Sequence, residues 1–229
     1  VWAEMPSGRV FSSQLREDLT EQWMALVEGL QHRPSVVAWV PFNESWGVWH
    51  QTSRPEQQEW VRALYHLTKS SDPTRPVIAN DGWEFVVGDA FTLHLYQQTG
   101  EALEQALDRL IKDPVRPIAD SPGARVGAIH TASLAGLPIL ITECGGVGFD
   151  PSAEVTEEAF AYGDWPEDEA SFKCRVADLT SSLNNNEKIA GFVWTQLTDV
   201  AQETNGLLYF DRSPKIDVAW LSKHIRGLP

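Results

Sequence analysis

The sequence predicts an α/β fold, a (β/α)8 TIM barrel that lacks its first strands, and three observations lead there. Short apolar runs alternate with amphipathic helical patterns along the whole chain. Most of the runs show no polar-apolar alternation, as expected of parallel strands covered on both faces. Polar and aromatic residues gather directly after several of them, at Asn43-Glu44, Asp81-Gly82-Trp83, His94 to Tyr96, Glu143 and Trp194. A barrel collects all its strand C-termini on one face, where its active site sits. Periodicity alone leaves a doubly wound sheet as the other solution.

The first strand is VWAEM (1–5). Leu15, Leu19, Trp23, Leu26, Val27 and Leu30 then follow the spacing of one helical face, and Arg33-Pro34 breaks the pattern. The second strand is SVVAWVPF (35–42); VIAN (77–80) follows the break at Asp72-Pro73, and FTLHLY (91–96) precedes the break at Asp113-Pro114. PILIT (138–142) is the fifth strand. Phe172, Val176, Leu179 and Leu183 form a second helical stripe that Asn184, Asn185 and Asn186 terminate, and GFVWTQL (191–197) is the sixth strand. Eight are needed, so the missing two belong upstream of Val1. The chain opens at Val1-Trp2, already inside an apolar stretch, which predicts a processed or truncated N-terminus. Open barrel edges favour self-association, so a homo-oligomer is an expectation.

Composition narrows the function. With 32 acidic against 18 basic residues and a formal charge of -14, the surface is unsuited to tracking phosphates, and no nucleic acid is expected as partner. No apolar run approaches the roughly 18 residues of a spanning helix, and no basic-then-apolar start reads as a signal peptide, so no membrane partner is expected and the cytoplasm is favoured. Cys144 and Cys174 have neither CxxC spacing nor a neighbouring His cluster. Two buried thiols are expected, not a zinc site or a disulfide framework.

Glu44 and Glu143 each end an apolar strand. Two carboxyl groups facing each other across a glycosidic oxygen, roughly 5 to 5.5 Å apart, perform retaining hydrolysis, one attacking C1 while the other protonates the leaving group. The acid must keep its proton while the nucleophile stays ionised, and mutual repulsion raises the acid. A solvated acid or a helix N-cap is the alternative for either residue taken alone.

HRPSVVAWVPFNESWG (32–47) resembles the fourth-strand signature of glycoside hydrolase family 2, which holds β-galactosidases, β-glucuronidases and β-mannosidases, and LPILITECGG (137–146) is similar to its seventh-strand signature. The resemblance extends to VWAEMP (1–6), VIANDGWE (77–84), HLY (94–96), GFVWTQLTD (191–199) and ETNGLLYFDRSPK (203–215), nearly the whole chain. It implies one catalytic barrel domain over residues 1–229, beginning near the third strand, with β-sandwich modules ahead of it. The implied activity is that of a retaining exo-acting β-glycosidase on a carbohydrate substrate, with no cofactor. Glu44 is then the acid/base and Glu143 the nucleophile. Asn43 binds the sugar 2-hydroxyl, Tyr96 orients the nucleophile, and Trp194 is a stacking platform. His94 shares a strand face with Tyr96 by period two and serves the core or the sugar equally well. Trp46 and Trp49 follow Glu44 closely enough to lie near the cleft, and Asp81, Trp83 and Glu84 end the fifth strand of such a barrel. The acidic, aromatic stretch 150–169 would overhang the cleft and shape substrate choice.

Three departures qualify the match. Thr195, Gln196 and Leu197 stand where the family's β-glucuronidases carry Asn-x-Lys, so a neutral, β-galactosidase-like substrate is expected. A Glu-x-His metal motif is missing around Glu4, so no metal is expected. Cys144 replaces a common aromatic. The competing expectation is a non-catalytic, carbohydrate-binding or structural module, because a barrel short of two strands has an incomplete site.

Overall fold

The computed structural model describes residues 1–118, 121, 123–150 and 159–227. Strands and helices alternate: β1 (Trp2–Glu4), α1 (Ser13–Leu30), β2 (Ala38–Val40), α2 (Pro55–Ser71), β3 (Phe91–Leu95), α3 (Gly100–Lys112), β4 (Ile139–Gly145), α4 (Glu169–Asn184), β5 (Gly191–Thr195) and α5 (Val218–Ile225). The strands form a β1-β2 pair and a β3-β4-β5 sheet. The sheets are parallel and not closed. The α/β class is as the alternation predicts; a complete eight-stranded barrel is not formed by the described residues. The chain divides into two compact units, Val1–Leu93 with Lys112–Leu140, and His94–Ile111 with Ile141–Pro229.

In the first unit, α1 starts where the Ser12 hydroxyl accepts the Leu15 N–H at 3.1 Å. Its stripe buries Leu19, Trp23 and Val27, while Leu15, Leu26 and Leu30 lie half-buried at the margins. Trp23 meets Trp39 of β2 edge to face at 6.1 Å, and its Nε1 donates to Thr68 of α2 at 2.8 Å. Pro55 opens α2, where a missing N–H is harmless.

Asp72 ends α2 and ties three elements together. Its carboxylate accepts Trp39 Nε1 at 2.9 Å, the Thr74 N–H at 3.0 Å and the Arg75 guanidinium at 2.5 Å. Burial pushes this carboxyl up, but the bonds from Thr74, Arg75 and Trp39 outweigh it and hold the group well below the usual carboxylate range.

Among the described residues five strands are present where six are expected, and the difference lies at 77–80. This segment does run parallel to residues 39–44: Trp39 N donates to Pro76 O, Ile78 N to Trp39 O, Asp81 N to Phe42 O and Glu44 N to Asp81 O. A continuous strand fails because Pro76 has no N–H to give and Val77 turns its backbone to Asp89, donating to the carboxylate at 2.8 Å and accepting the Asp89 N–H at 2.9 Å.

In the second unit, α3 buries Leu103, Ala106, Leu107 and Leu110, and α4 buries Phe172, Val176, Leu179 and Leu183, the stripe its spacing predicts. Asp168 and Ser171 cap α4 reciprocally, and the Asp178 carboxylate accepts the Gly100 N–H at the start of α3 at 2.7 Å. Of the two cysteines only Cys144 is buried. Cys174 is exposed because it lies two positions from both Phe172 and Val176, on the opposite side of α4 from the stripe.

Asp72→Ala should lower the free energy of unfolding by about 3 kcal/mol at neutral pH, because it strips buried donors of their acceptor. A carboxyl held low stabilises the fold above its unfolded pKa, and that stability drains away as pH falls through the folded value. Urea titrations should therefore show the gap between the two proteins narrowing progressively below about pH 4; a gap independent of pH contradicts the ionic part of the account.

Candidate active site

In the first unit the candidate residues stand at the end of the chain path that begins in β2. The parallel bridge between Asn43 and Asp81 places their backbones side by side. Glu44 and Ser45 then take φ of 52° and 58°, the left-handed region that side-chain-bearing residues avoid by about 1–2 kcal/mol each. Hydrogen bonds impose the turn. Glu44 N donates to Asp81 O at 2.9 Å and Ser45 N to Asn80 Oδ1 at 2.9 Å.

The Ser45 hydroxyl, fully buried, uses its one donor and both acceptor positions. It donates to Glu84 Oε2 at 2.6 Å and accepts Gln51 Nε2 at 3.0 Å and Asn80 Nδ2 at 3.1 Å. Glu84, itself at φ 49°, pairs with Arg125 at 3.0 Å, and that guanidinium also donates to Trp49 O at 2.6 Å and lies 4.7 Å over the Trp49 ring. A cavity of about 590 Å³ opens against this network, lined among others by Trp49, His50, Gln58, Glu84, Arg125 and His130.

Asn43 and Glu44 are half-buried, and the Asn43 Oδ1 is a buried acceptor with no hydrogen-bond partner. Asp81 and Trp83 are buried, at 4% exposure each, so little of either reaches the surface of this unit. Trp46 is exposed and packs edge to face on Trp49 at 4.3 Å.

In the second unit, His94 of β3, Tyr96 just beyond it and Glu143 of β4 come together. The Tyr96 hydroxyl donates to Glu143 Oε2, and His94 Nδ1 lies 3.4 Å from the same oxygen. Burial first, then the charge of Glu143, pushes the Tyr96 hydroxyl far above its ordinary pKa, so it stays protonated as a donor. Cys144 is likewise pushed up by burial and by Glu143, and its thiol donates to Val193 O at 3.4 Å. It is a packed thiol, not a nucleophile.

The two glycines after Cys144 are required by what crowds them. Gly145 has φ 87° and a Cβ there would come within 2.5 Å of the Trp194 indole; Gly146 has φ 59° and a Cβ there would come within 2.4 Å of the Tyr162 ring. Trp194 is buried at 9% exposure, with an Nε1 that has no partner. Tyr162 stacks on Tyr96 at 3.5 Å and 2° between planes, and its N–H donates to Gly146 O at 3.0 Å. Residues 151–158 of the acidic stretch lie outside the described residues; from its later part Tyr162 stacks on Tyr96.

The sequence therefore finds Asn43, Glu44 and Asp81 in one cluster and His94, Tyr96, Glu143 and Trp194 in the other. It misses the hub role of Ser45 and the contributions of Asn80, Gln51 and Arg125. Only Ser45 carried a signal, as the neighbour of Glu44.

No family model matches the chain, and no curated protein matches it. Solved structures do. A β-galacturonidase of glycoside hydrolase family 2 from Eisenbergiella tayi, bound to glycerol, superposes with a TM-score of 0.70 at 17% identity, over 100% of this chain and 40% of that one. An FMN-binding β-glucuronidase from Facaelibacterium prausnitzii L2-6 gives 0.69 at 17% identity, over 98% and 34%. A β-glucuronidase from Ruminococcus gnavus in complex with D-glucuronic acid gives 0.63 at 16% identity, over 93% and 36%. The chain thus spans between a third and two fifths of the length of these proteins and has, over nearly all of its own length, the fold of that part of them.

Proposed function

We propose that the chain is the later part of the catalytic barrel of a family 2 glycoside hydrolase, a retaining, exo-acting β-glycosidase for a neutral sugar. The reading is carried by Glu143, a carboxylate near the C-terminal end of β4 on which the Tyr96 hydroxyl and His94 converge. Donated hydrogen bonds favour the ionised carboxylate, the form that attacks. Both groups approach the same oxygen, Oε2.

In the first step Glu143 forms an ester bond to C1 as the C1–O bond to the leaving group breaks and Glu44 gives that oxygen its proton. In the second, Glu44 takes a proton from water, whose oxygen attacks C1 and frees the Glu143 carboxylate. Asn43, with its unpartnered buried acceptor, binds the sugar 2-hydroxyl, a contact that strengthens as the oxocarbenium-like state forms. Trp194 lies under the sugar, while Trp46 and Trp49 border the leaving-group side.

The solved structures named above are a β-galacturonidase and β-glucuronidases, not β-galactosidases. The neutral-sugar reading rests on this chain's own residues: Thr195, Gln196 and Leu197 follow Trp194 and offer no cation to a uronate carboxylate.

Glu143→Gln should lower kcat on an aryl β-glycoside at least about 10³-fold, and a 2-fluoro glycosyl inhibitor should esterify Glu143, read by peptide mass spectrometry. Labelling at another residue removes the assignment. Tyr96→Phe should reduce kcat by roughly 10–10² with KM nearly unchanged, since the hydroxyl acts on the nucleophile and not on the bound sugar. A panel of nitrophenyl galactoside, glucoside, mannoside, glucuronide and galacturonide, run on this chain and on the intact gene product, decides the sugar. Fastest turnover of a uronide overturns the neutral-sugar reading, and turnover in neither protein favours a binding or structural module.

A further inference from the structure

The proposed acid/base sits on a turn whose geometry the chain does not favour by itself. Glu44 and Ser45 are consecutive left-handed residues, and Glu84, which holds Ser45, is a third. Three side-chain-bearing residues in that region, joined by hydrogen bonds, mark a place where surrounding structure dictates the backbone. The dictating groups are the Asn80 amide on the Ser45 N–H, the Glu84 carboxylate on the Ser45 hydroxyl and Arg125 behind Glu84, at 2.9, 2.6 and 3.0 Å. Every hydrogen-bonding position of the Ser45 hydroxyl is occupied, so the oxygen cannot shift without breaking a buried bond.

We infer that Ser45, anchored by the buried Glu84 and its partner Arg125, is the positioning residue for the Glu44 carboxyl, fixing the direction from which the proton reaches the leaving group. This rests on the reading of Glu44 as the acid. The hydroxyl never touches substrate; it acts through the backbone it shares with Glu44. Two neighbouring features agree with a role on the leaving-group side. Arg125 is clamped at once to Glu84 and to the Trp49 carbonyl, so the same pair fixes both ends of the turn from Ser45 to Trp49. Glu84 and Arg125 also line the 590 Å³ cavity beside that turn.

The consequence is a rate loss that depends on the leaving group. General acid help is needed by a poor leaving group and scarcely at all by a good one. The test uses the intact gene product with the phenyl and 2,4-dinitrophenyl β-glycosides of the sugar that the panel shows to be cleaved fastest. Ser45→Ala and Glu84→Gln should each lower kcat/KM on the phenyl glycoside by about 10–10² and on the dinitrophenyl glycoside by less than about threefold. Trapping of Glu143 by a 2-fluoro dinitrophenyl glycoside should proceed at the parental rate. Equal losses on both substrates, or none on either, overturn the inference, since a disturbed fold does not distinguish leaving groups. Should Ser45→Ala fail to fold, Glu84→Gln and Arg125→Lys give the same reading. Glu44→Gln is run alongside. If it too shows no leaving-group dependence, the assignment of Glu44 fails and the inference with it; if it shows the dependence and the Ser45 and Glu84 variants do not, only the positioning role fails.

Discussion

The left-handed turn at Glu44 and Ser45 is the constraint around which the first unit is arranged. Two consecutive residues in that conformation forgo about 2–4 kcal/mol relative to ordinary backbone, and the deficit has to be offset by bonds that exist only in the folded chain. They come from residues 35 to 80 positions away, Asn80, Asp81, Glu84 and, through Glu84, Arg125. The parallel run of 76–81 along 39–44 makes these bonds possible, because it sets Asp81 beside Asn43 and delivers Asn80 and Glu84 beneath the turn. The packing of Trp23 on Trp39, and the Asp72 hub that grips Trp39 and Arg75, hold that run in register. Core packing and the orientation of Asn43 and Glu44 are therefore one problem, not two.

The second unit reaches a comparable end by crowding. Glu143 is followed by a buried thiol and two glycines, and the space that side chains would take at those glycines is filled by Trp194 and by Tyr162. Tyr162 stacks on Tyr96, which donates to Glu143. A ring held flat against another ring keeps its hydroxyl in one direction, and burial keeps that hydroxyl protonated. Any change in Tyr162 or Gly146 is thus transmitted to the carboxylate through rigid contacts.

How much of this could be read in advance depends on the range of the interaction. The stripes of α1 and α4 were legible because a helical period is written in neighbouring residues, and Asp72-Pro73, Asp113-Pro114 and the Asn184 run marked helix ends for the same local reason. The apolar strand runs were legible too, and Asn43, Glu44 and Tyr96 follow theirs as expected, whereas β4 runs on past Glu143 to Gly145. The interruption at 77–80 is not written in the local sequence, because the Asp89 carboxylate, a tertiary partner, takes the Val77 backbone. Cys174 is exposed because its position on α4, not its residue type, decides its burial. Arg125 left no pattern at all, since a hydrogen bond spanning 41 or 76 positions has no period.

The Glu84–Arg125 pair deserves to be judged by what it holds. An ion pair with both side chains withdrawn from water stabilises a fold little, for desolvation of the charges offsets most of their attraction, and an apolar pair of like size often does as well. An apolar pair, however, could not accept the Ser45 hydroxyl or donate to the Trp49 carbonyl, the two bonds that pin the ends of the turn. Removing either charge would leave the other buried and uncompensated. The pair is thus explained by geometry more than by stability: it converts a long-range contact between residues 84 and 125 into a fixed direction for the backbone at residue 44.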